Sequence, residues 1–345
     1  MKQILSIVVL AMIFAGFSHT PAHSWIFVDT TNAPAIPIDG YLQTVSDIDD
    51  IITKNFRNYP AAFAIANVGG YPIGDAHIGN FPHMFFGVSF TVGCANMKYF
   101  DEDIAREENV YPAYAPNPTL YFGFGLAGGF DILFKVIFFS DTMYRPSLHQ
   151  KSVRLSKANI YSVGGKLRKN LVSRIAILPD IFDFGGVTVS AGADCMEGII
   201  GIDGNYKYKL NNITVNPPGG VYTVDFDAYY NFNIKWTMLS ANAQALVYFH
   251  FLWVFDFYTG VGMATTWGYN RLKGSGIGTV SNAIIGPIGT ISAMAEYKRS
   301  PRFFMGLYIA GLEVNIWVLK LTMETMVNIS NGKDINLQLG TRLQF

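Results

Sequence analysis

Apolar and polar side chains alternate along most of this chain, and the end of the sequence shows the pattern most clearly. Ile335, Leu337, Leu339, Thr341, Leu343 and Phe345 interleave with Asn336, Gln338, Gly340, Arg342 and Gln344. A strand sends successive side chains to opposite faces, so this segment has one apolar and one polar face. The same period of two recurs over 84–92, 161–168, 187–194, 222–235, 243–250 and 319–328. Each run is about as long as a tilted strand crossing a bilayer, about 9–11 residues. Two other stretches, 120–139 and 245–264, are apolar over about the length of a spanning helix. As helices they would bury Asp131 with Lys135, and His250 with Asp256, at considerable cost. As hairpins they place Leu120, Phe122, Phe124 and Leu126 opposite Gly123 and Gly125, and Gly128-Gly129 turns the chain into 130–139. A soluble secreted sandwich would need a partner sheet for every one of these apolar faces.

The pattern therefore predicts an all-β protein, a transmembrane antiparallel β-barrel of about 12–14 strands. Strands are expected near 84–92, 119–127, 130–139, 157–168, 186–194, 199–209, 221–235, 238–251, 253–267, 288–297, 303–316, 318–328 and 335–345, with 276–285 as a further candidate. Outer loops are expected at 93–118, 140–156 and 268–275. The start of the chain reads as a signal peptide over 1–24. Met1-Lys2-Gln3 is basic, Ile4 to Phe17 is apolar, and Ala22-His23-Ser24 offers small residues for cleavage before Trp25. Residues 25–80 lack sustained alternation and carry Pro34, Pro37, Pro60 and Pro72. Within them Ser46 opens a short helix, with Ile48, Ile51, Ile52 and Phe56 on one face. The expected organisation is thus a hatch or plug over 25–80, with a periplasmic helix as the alternative, and a barrel over 81–345.

Composition sharpens the class. The chain is 50% hydrophobic, 15% aromatic and only 14% charged, with a formal net charge of zero. That balance removes the electrostatic case for nucleic acid, which is not expected as a partner. Two cysteines, Cys94 and Cys195, are too few for a disulfide framework, and their spacing does not decide whether they pair.

No nucleophile elbow, metalloprotease helix or phosphate-cradling loop is present, so no enzyme, catalytic residue or cofactor is expected. His77 and His83, with Asp75 nearby, have a spacing that could hold a metal. Hydrogen-bonded lumen or turn histidines are the expected reading, and no metal is assigned. His250 and Asp256 are expected as a lumen-lining pair across a hairpin.

Asp225, Asp227, Lys235, Lys320, Glu324 and Arg342 are expected to face the lumen, where mixed signs satisfy one another across strands. Apolar positions Tyr229, Leu246, Tyr248 and Tyr258, with Ile48, Ile52 and Phe56 of the hatch, are the expected path of a hydrophobic ligand.

The terminal strand ending on Phe345 resembles the closing strand of bacterial outer-membrane barrels, where it acts as the assembly signal. That resemblance implies the cell outer membrane, with its lipid and the barrel-assembly machinery as partners. A hatch, about fourteen strands and a half-apolar interior further resemble the long-chain fatty acid transporters (FadL-like barrels). In that likeness 69–82 is the hatch-to-barrel junction and 311–345 the closing strands. The chain departs from the family in lacking an Asn-Pro-Ala hatch signature, since Asn117-Pro118-Thr119 lies beyond the first strand. The likeness implies passive uptake of a hydrophobic small molecule such as a long-chain fatty acid. A general diffusion porin, and a surface adhesin or structural barrel working through its loops, are the alternatives.

Overall fold

The computed structural model describes residues 23–29, 54, 56–100, 111–140, 153–178, 181–215, 220–282 and 286–345. Among these residues, thirteen strands form one antiparallel sheet. They are β1 (His23–Asp29), β2 (Met84–Ala95), β3 (Ala113–Leu126), β4 (Phe130–Ser140), β5 (Val153–Val172), β6 (Ile175–Leu178) and β7 (Phe182–Val215). The rest are β8 (Gly220–Phe251), β9 (Phe255–Asn282), β10 (Gly286–Arg299), β11 (Phe304–Ile316), β12 (Leu319–Asn328) and β13 (Ile335–Gln344). Ten of them close a ring in the order β2–β3–β4–β5–β7–β8–β9–β11–β12–β13, because β13 returns to pair with β2. Even strand number and antiparallel pairing are the rule for bacterial single-chain barrels.

Pairs of runs that the alternation separates turn out to be single strands. The runs at 186–194 and 199–209 both belong to β7, 34 residues long, and those at 221–235 and 238–251 both belong to β8, 32 residues long. The run at 253–267 and the described part of 276–285 share β9, so 268–275 is strand and not an outer loop. At about 3.4 Å per residue, β7 is on the order of 110 Å long, several times the roughly 30 Å of bilayer hydrocarbon.

The ring's two ends differ. At one end the connections are short: Gly128-Gly129 at positive φ, Leu252-Trp253 between β8 and β9, and Trp317 between β11 and β12. Those are periplasmic turns, and the longer connections at the other end face outward. At that outer end the upper half of β9 leaves β11 and pairs with β10 instead, and β10 in turn pairs with β1. With the upper halves of β7 and β8, these strands make a lobe that continues beyond the ring. Strand β1 begins at His23, two residues before the expected mature start, and the preceding residues lie outside those described.

Burial alternates as a barrel in lipid demands. On β2, Phe86, Val88 and Phe90 are exposed while Phe85, Ser89 and Thr91 are buried. Leu337 and Leu339, Leu321 and Met323, and Val261 and Met263 continue the apolar outer belt. Trp253 and Trp317 project at the periplasmic turns, Trp317 with 92% of its surface exposed. Amphipathic indoles suit that level of a membrane.

Candidate functional site: the filled lumen

The ring encloses a helix, α1 (Tyr59–Val68), whose residues from Ala62 to Val68 are buried. It touches β2, β3, β7, β8, β9 and β13, so the wall surrounds it. One side of the helix, Ala64, Ile65 and Val68, packs on Leu246, Tyr248, Tyr258, Met305, Leu307, Ile309 and Met326. The other side, Ala62, Phe63 and Ala66, packs on Ala95, Ala113, Ala115, Met196, Trp236 and Met238. Phe63 stacks on Trp236 with ring centroids 4.3 Å apart. Gly93 of β2 makes the contact possible, since a Cβ there would lie 2.1 Å from the Ala62 carbonyl oxygen.

The lumen wall also supplies the polar groups that the helix end lacks. A helix leaves its last four carbonyls without partners. Asn336 Nδ2 donates to Ile65 O at 2.8 Å, and Asn117 Nδ2 to Ala66 O at 3.1 Å. Lys135 Nζ donates to Gly69 O at 2.6 Å and also to Asn67 O. A cation at this end complements the helix dipole. The buried ammonium is itself paired, 3.0 Å from Asp194 Oδ1. Asp194 also accepts from Tyr71 Oη at 2.8 Å and from Asn242 at 2.8 Å. Burial raises the Tyr71 phenol above its ordinary range, and the Asp194 charge adds to the effect.

Below the helix the chain descends toward the periplasmic end along a second polar cluster. Arg342 of β13 grips Glu313 with both terminal nitrogens, at 2.8 Å to Oε1, and reaches Asp75 Oδ2 at 3.0 Å and Pro72 O at 3.3 Å. Glu313 in turn accepts from Gly74 N at 2.9 Å. Arg168 donates to Asp131 at 2.7 and 2.9 Å and to Asp75 O at 2.6 Å. Asp131 also holds Ile78 N at 3.2 Å and lies 2.7 Å from His77 Nδ1. Burial alone would raise the Asp75 carboxyl. The Arg342 guanidinium, with Lys320, His250 and Arg168, outweighs it and holds Asp75 below its ordinary range.

The expected site residues separate into three groups. Arg342 and Glu324 lie buried in the lumen, Glu324 accepting from Tyr258 Oη at 2.8 Å, and Lys320 lies 3.9 Å from Asp75. Leu246, Tyr248 and Tyr258 are also inside, but packed against the helix. Phe56 is buried against Tyr297 and Leu272 near the outer end. Lys235 is on the opposite face from the one expected, because Trp236 beside it points in. It lies half-exposed, 3.5 Å from Glu197. Asp227 and Tyr229 share its parity on β8 and are likewise exposed. Ile48 and Ile52 lie outside the described residues, and so does the Asp225 side chain.

His77 and His83 each take a separate partner. His77 turns to Asp131, and exposed His83 sits 2.5 Å from Asn80 O. Asp75, His250 and Asp256 bring donor atoms within 4.8 Å of one another. Arg342 and Lys320 compensate Asp75 there, and Asn315 donates to Asp256 at 2.6 Å. Cys94 and Cys195 are both free thiols, one buried and one on the outer face. Sequence reasoning missed Asn117, Asn336 and Gly93, whose roles exist only relative to the helix.

A closed antiparallel ring with an apolar outer belt and a plugged interior defines an outer-membrane β-barrel protein. The chain belongs to the Lsa36-like family, whose profile matches residues 52–345. No curated protein matches it. Among solved structures it is similar to the attachment invasion locus protein Ail of Yersinia pestis, with 10% identity, TM-score 0.22, and 76% of this chain and 98% of that one covered. It is also similar to the toluene transporter TbuX of Ralstonia pickettii, with 9% identity, TM-score 0.23, and coverage of 83% and 92%. A third is the translocator domain of the autotransporter NalP from Neisseria meningitidis, with 7% identity, TM-score 0.28, and coverage of 89% and 97%.

Proposed function

We propose that this protein is a plugged outer-membrane barrel that works as a surface-binding protein, holding a β-sheet lobe outside the cell. The observation that carries the reading is the pairing of a helix packed inside the ring with strands that run far past the bilayer. A water-filled diffusion pore needs an open lumen, whereas here both faces of α1 and its terminal carbonyls are taken up by the wall. The lobe, built from the upper parts of β7, β8 and β9 with β10, is held by continuous ladders from Asp225↔Ser281 down to the ring. A paired extension of this kind stands above the lipid, where it is open to a partner outside the cell.

Passive uptake of a hydrophobic molecule such as a long-chain fatty acid is the second reading. It is favoured by the apolar lining of Leu246, Tyr248 and Tyr258, which displacement of α1 would uncover.

Planar-bilayer conductance of the full-length protein and of a form lacking 25–80 separates these readings. Silence at full length and conductance after truncation support the plugged barrel, and steady conductance at full length overturns it. Cells displaying the protein should adhere to an extracellular matrix coat, and should lose adhesion when 206–230 is replaced by a short Gly-Ser turn. Undiminished adhesion would refute the surface reading, and fatty-acid binding released only by helix displacement would favour uptake.

A further inference from the structure

At the outer mouth of the lumen, directly above the first turn of α1, lies a cavity of about 320 Å³. Its charge is one-sided. Among the described residues, Arg57, Arg299, Arg302 and Lys333 line it with Asp334 as the described acid, and Lys98, which has a partner of its own, lines it too. The acid is already committed. Asp334 accepts from Asn331 Nδ2 at 2.6 Å, Asn328 Nδ2 at 3.3 Å and Asn96 N at 3.3 Å, which fixes the β12–β13 turn. The floor is fixed too, since buried Asn58 donates to Tyr111 O at 3.0 Å and also contacts Asn96.

From these features we infer that the mouth is a binding site for a sulfated oligosaccharide, which deepens the surface-binding reading above. Three arginines suit bidentate recognition of sulfate or phosphate oxygens, which a lone ammonium does not give. They come from separate segments, Arg57 ahead of the helix, Arg299 at the end of β10 and Arg302 in the link to β11, so they converge only in the fold. The volume is at the lower end of the roughly 300–1,000 Å³ of small-molecule sites, enough for a short stretch of an extended chain. Position selects the source. The cavity is walled by Asn58, Pro60 and Ala61 at the start of the enclosed helix, inside the ring of strands and away from its lipid-facing belt. Asp101, Glu102, Asp103, Glu107 and Glu108 adjoin Lys98 in the sequence and lie outside the described residues. The test therefore keeps them in place by using the full-length protein.

The experiment is calorimetric titration of full-length protein in detergent with a heparin-derived hexasaccharide and with its desulfated form. Vesicles containing lipid A form a third arm. Binding of the sulfated form alone, weakening as salt rises, is expected. R299Q and R302Q should each lower the affinity by roughly tenfold, as loss of a charge-assisted contact does. Both should keep native heat-modifiable mobility and a silent lumen. No binding of the hexasaccharide, equal binding of the desulfated form, or unchanged binding in the double variant overturns the proposal. Capture of lipid A vesicles without the free glycan overturns it as well. None of these outcomes alters the conductance test or the lobe-replacement test, so failure here leaves the surface-binding reading to be judged by itself.

Discussion

Gly93 offers the sharpest perturbation of the plug, because it can be changed without harming the wall. A Cβ there would stand 2.1 Å from Ala62 O and 2.9 Å from Ala66 N. Carbon–oxygen contacts begin at about 3.3 Å, so even a methyl requires the helix to retreat by roughly 1.2 Å. It has nowhere to go, since Ala64, Ile65 and Val68 on its far side are fully buried against β8, β9, β11 and β12. Overpacking of this kind costs about 1–3 kcal/mol for added methylenes. For G93V we expect about 2–3 kcal/mol, which raises the undocked population roughly 30- to 150-fold. The strand itself does not suffer, because valine favours a pleated strand over glycine by up to about 1 kcal/mol. Hydrogen exchange of the amides of 62–68, read beside single-channel conductance, measures the effect. Faster exchange in the helix and brief openings, with native heat-modifiable mobility, are expected. Full protection and a silent channel in a folded G93V barrel would refute the packing argument.

The capping of α1 makes a second prediction. N117A with N336A leaves two buried carbonyls unpaired and should weaken helix docking by about 1–3 kcal/mol for each, read as faster amide exchange with an unchanged barrel melting temperature. Acid gives a third. Asp75 is held below its ordinary value of 3.8, so its contribution is full above that value and is lost as pH falls through the lower folded one. Conductance should stay silent from neutral pH down to the carboxylate range and open below it. D75N should be open already at neutral pH, and a D75N barrel as silent as the parent would sink the idea.

Strand alternation was legible because lipid on one side and a lumen on the other enforce a period of two. The exceptional length of β7 and β8 was not. Their alternation falters at Gly198-Ile199-Ile200-Gly201 and near Trp236, places that mimic turns. That misreading also inverted Lys235, Asp227 and Tyr229. A single strand keeps one parity inward, so Leu246 and Tyr248 inside force Lys235 outside. The helix escaped for a different reason. Tyr59 to Val68 is apolar nearly all round, because wall surrounds it, and a helix buried on every side carries no stripe to detect. The lumen charges Arg342 and Glu324 were readable from parity alone. The partners of Arg342 on the plug, Asp75 and Pro72 O, were not, because no local pattern encodes a contact across the whole chain.

The grip of β13 on the plug bears on how the protein is made. Asn336 meets Ile65 at a sequence separation of 271 residues, and Arg342 meets Pro72 at 270. Such contacts carry some of the largest loop-closure costs in the chain and form late. The strand that makes them is the one that seals the ring against β2. Zipping the final seam and locking the hatch are therefore a single event, carried out by the ten residues of β13. A nascent barrel that has not yet received them is at once unsealed in its wall and open through its middle.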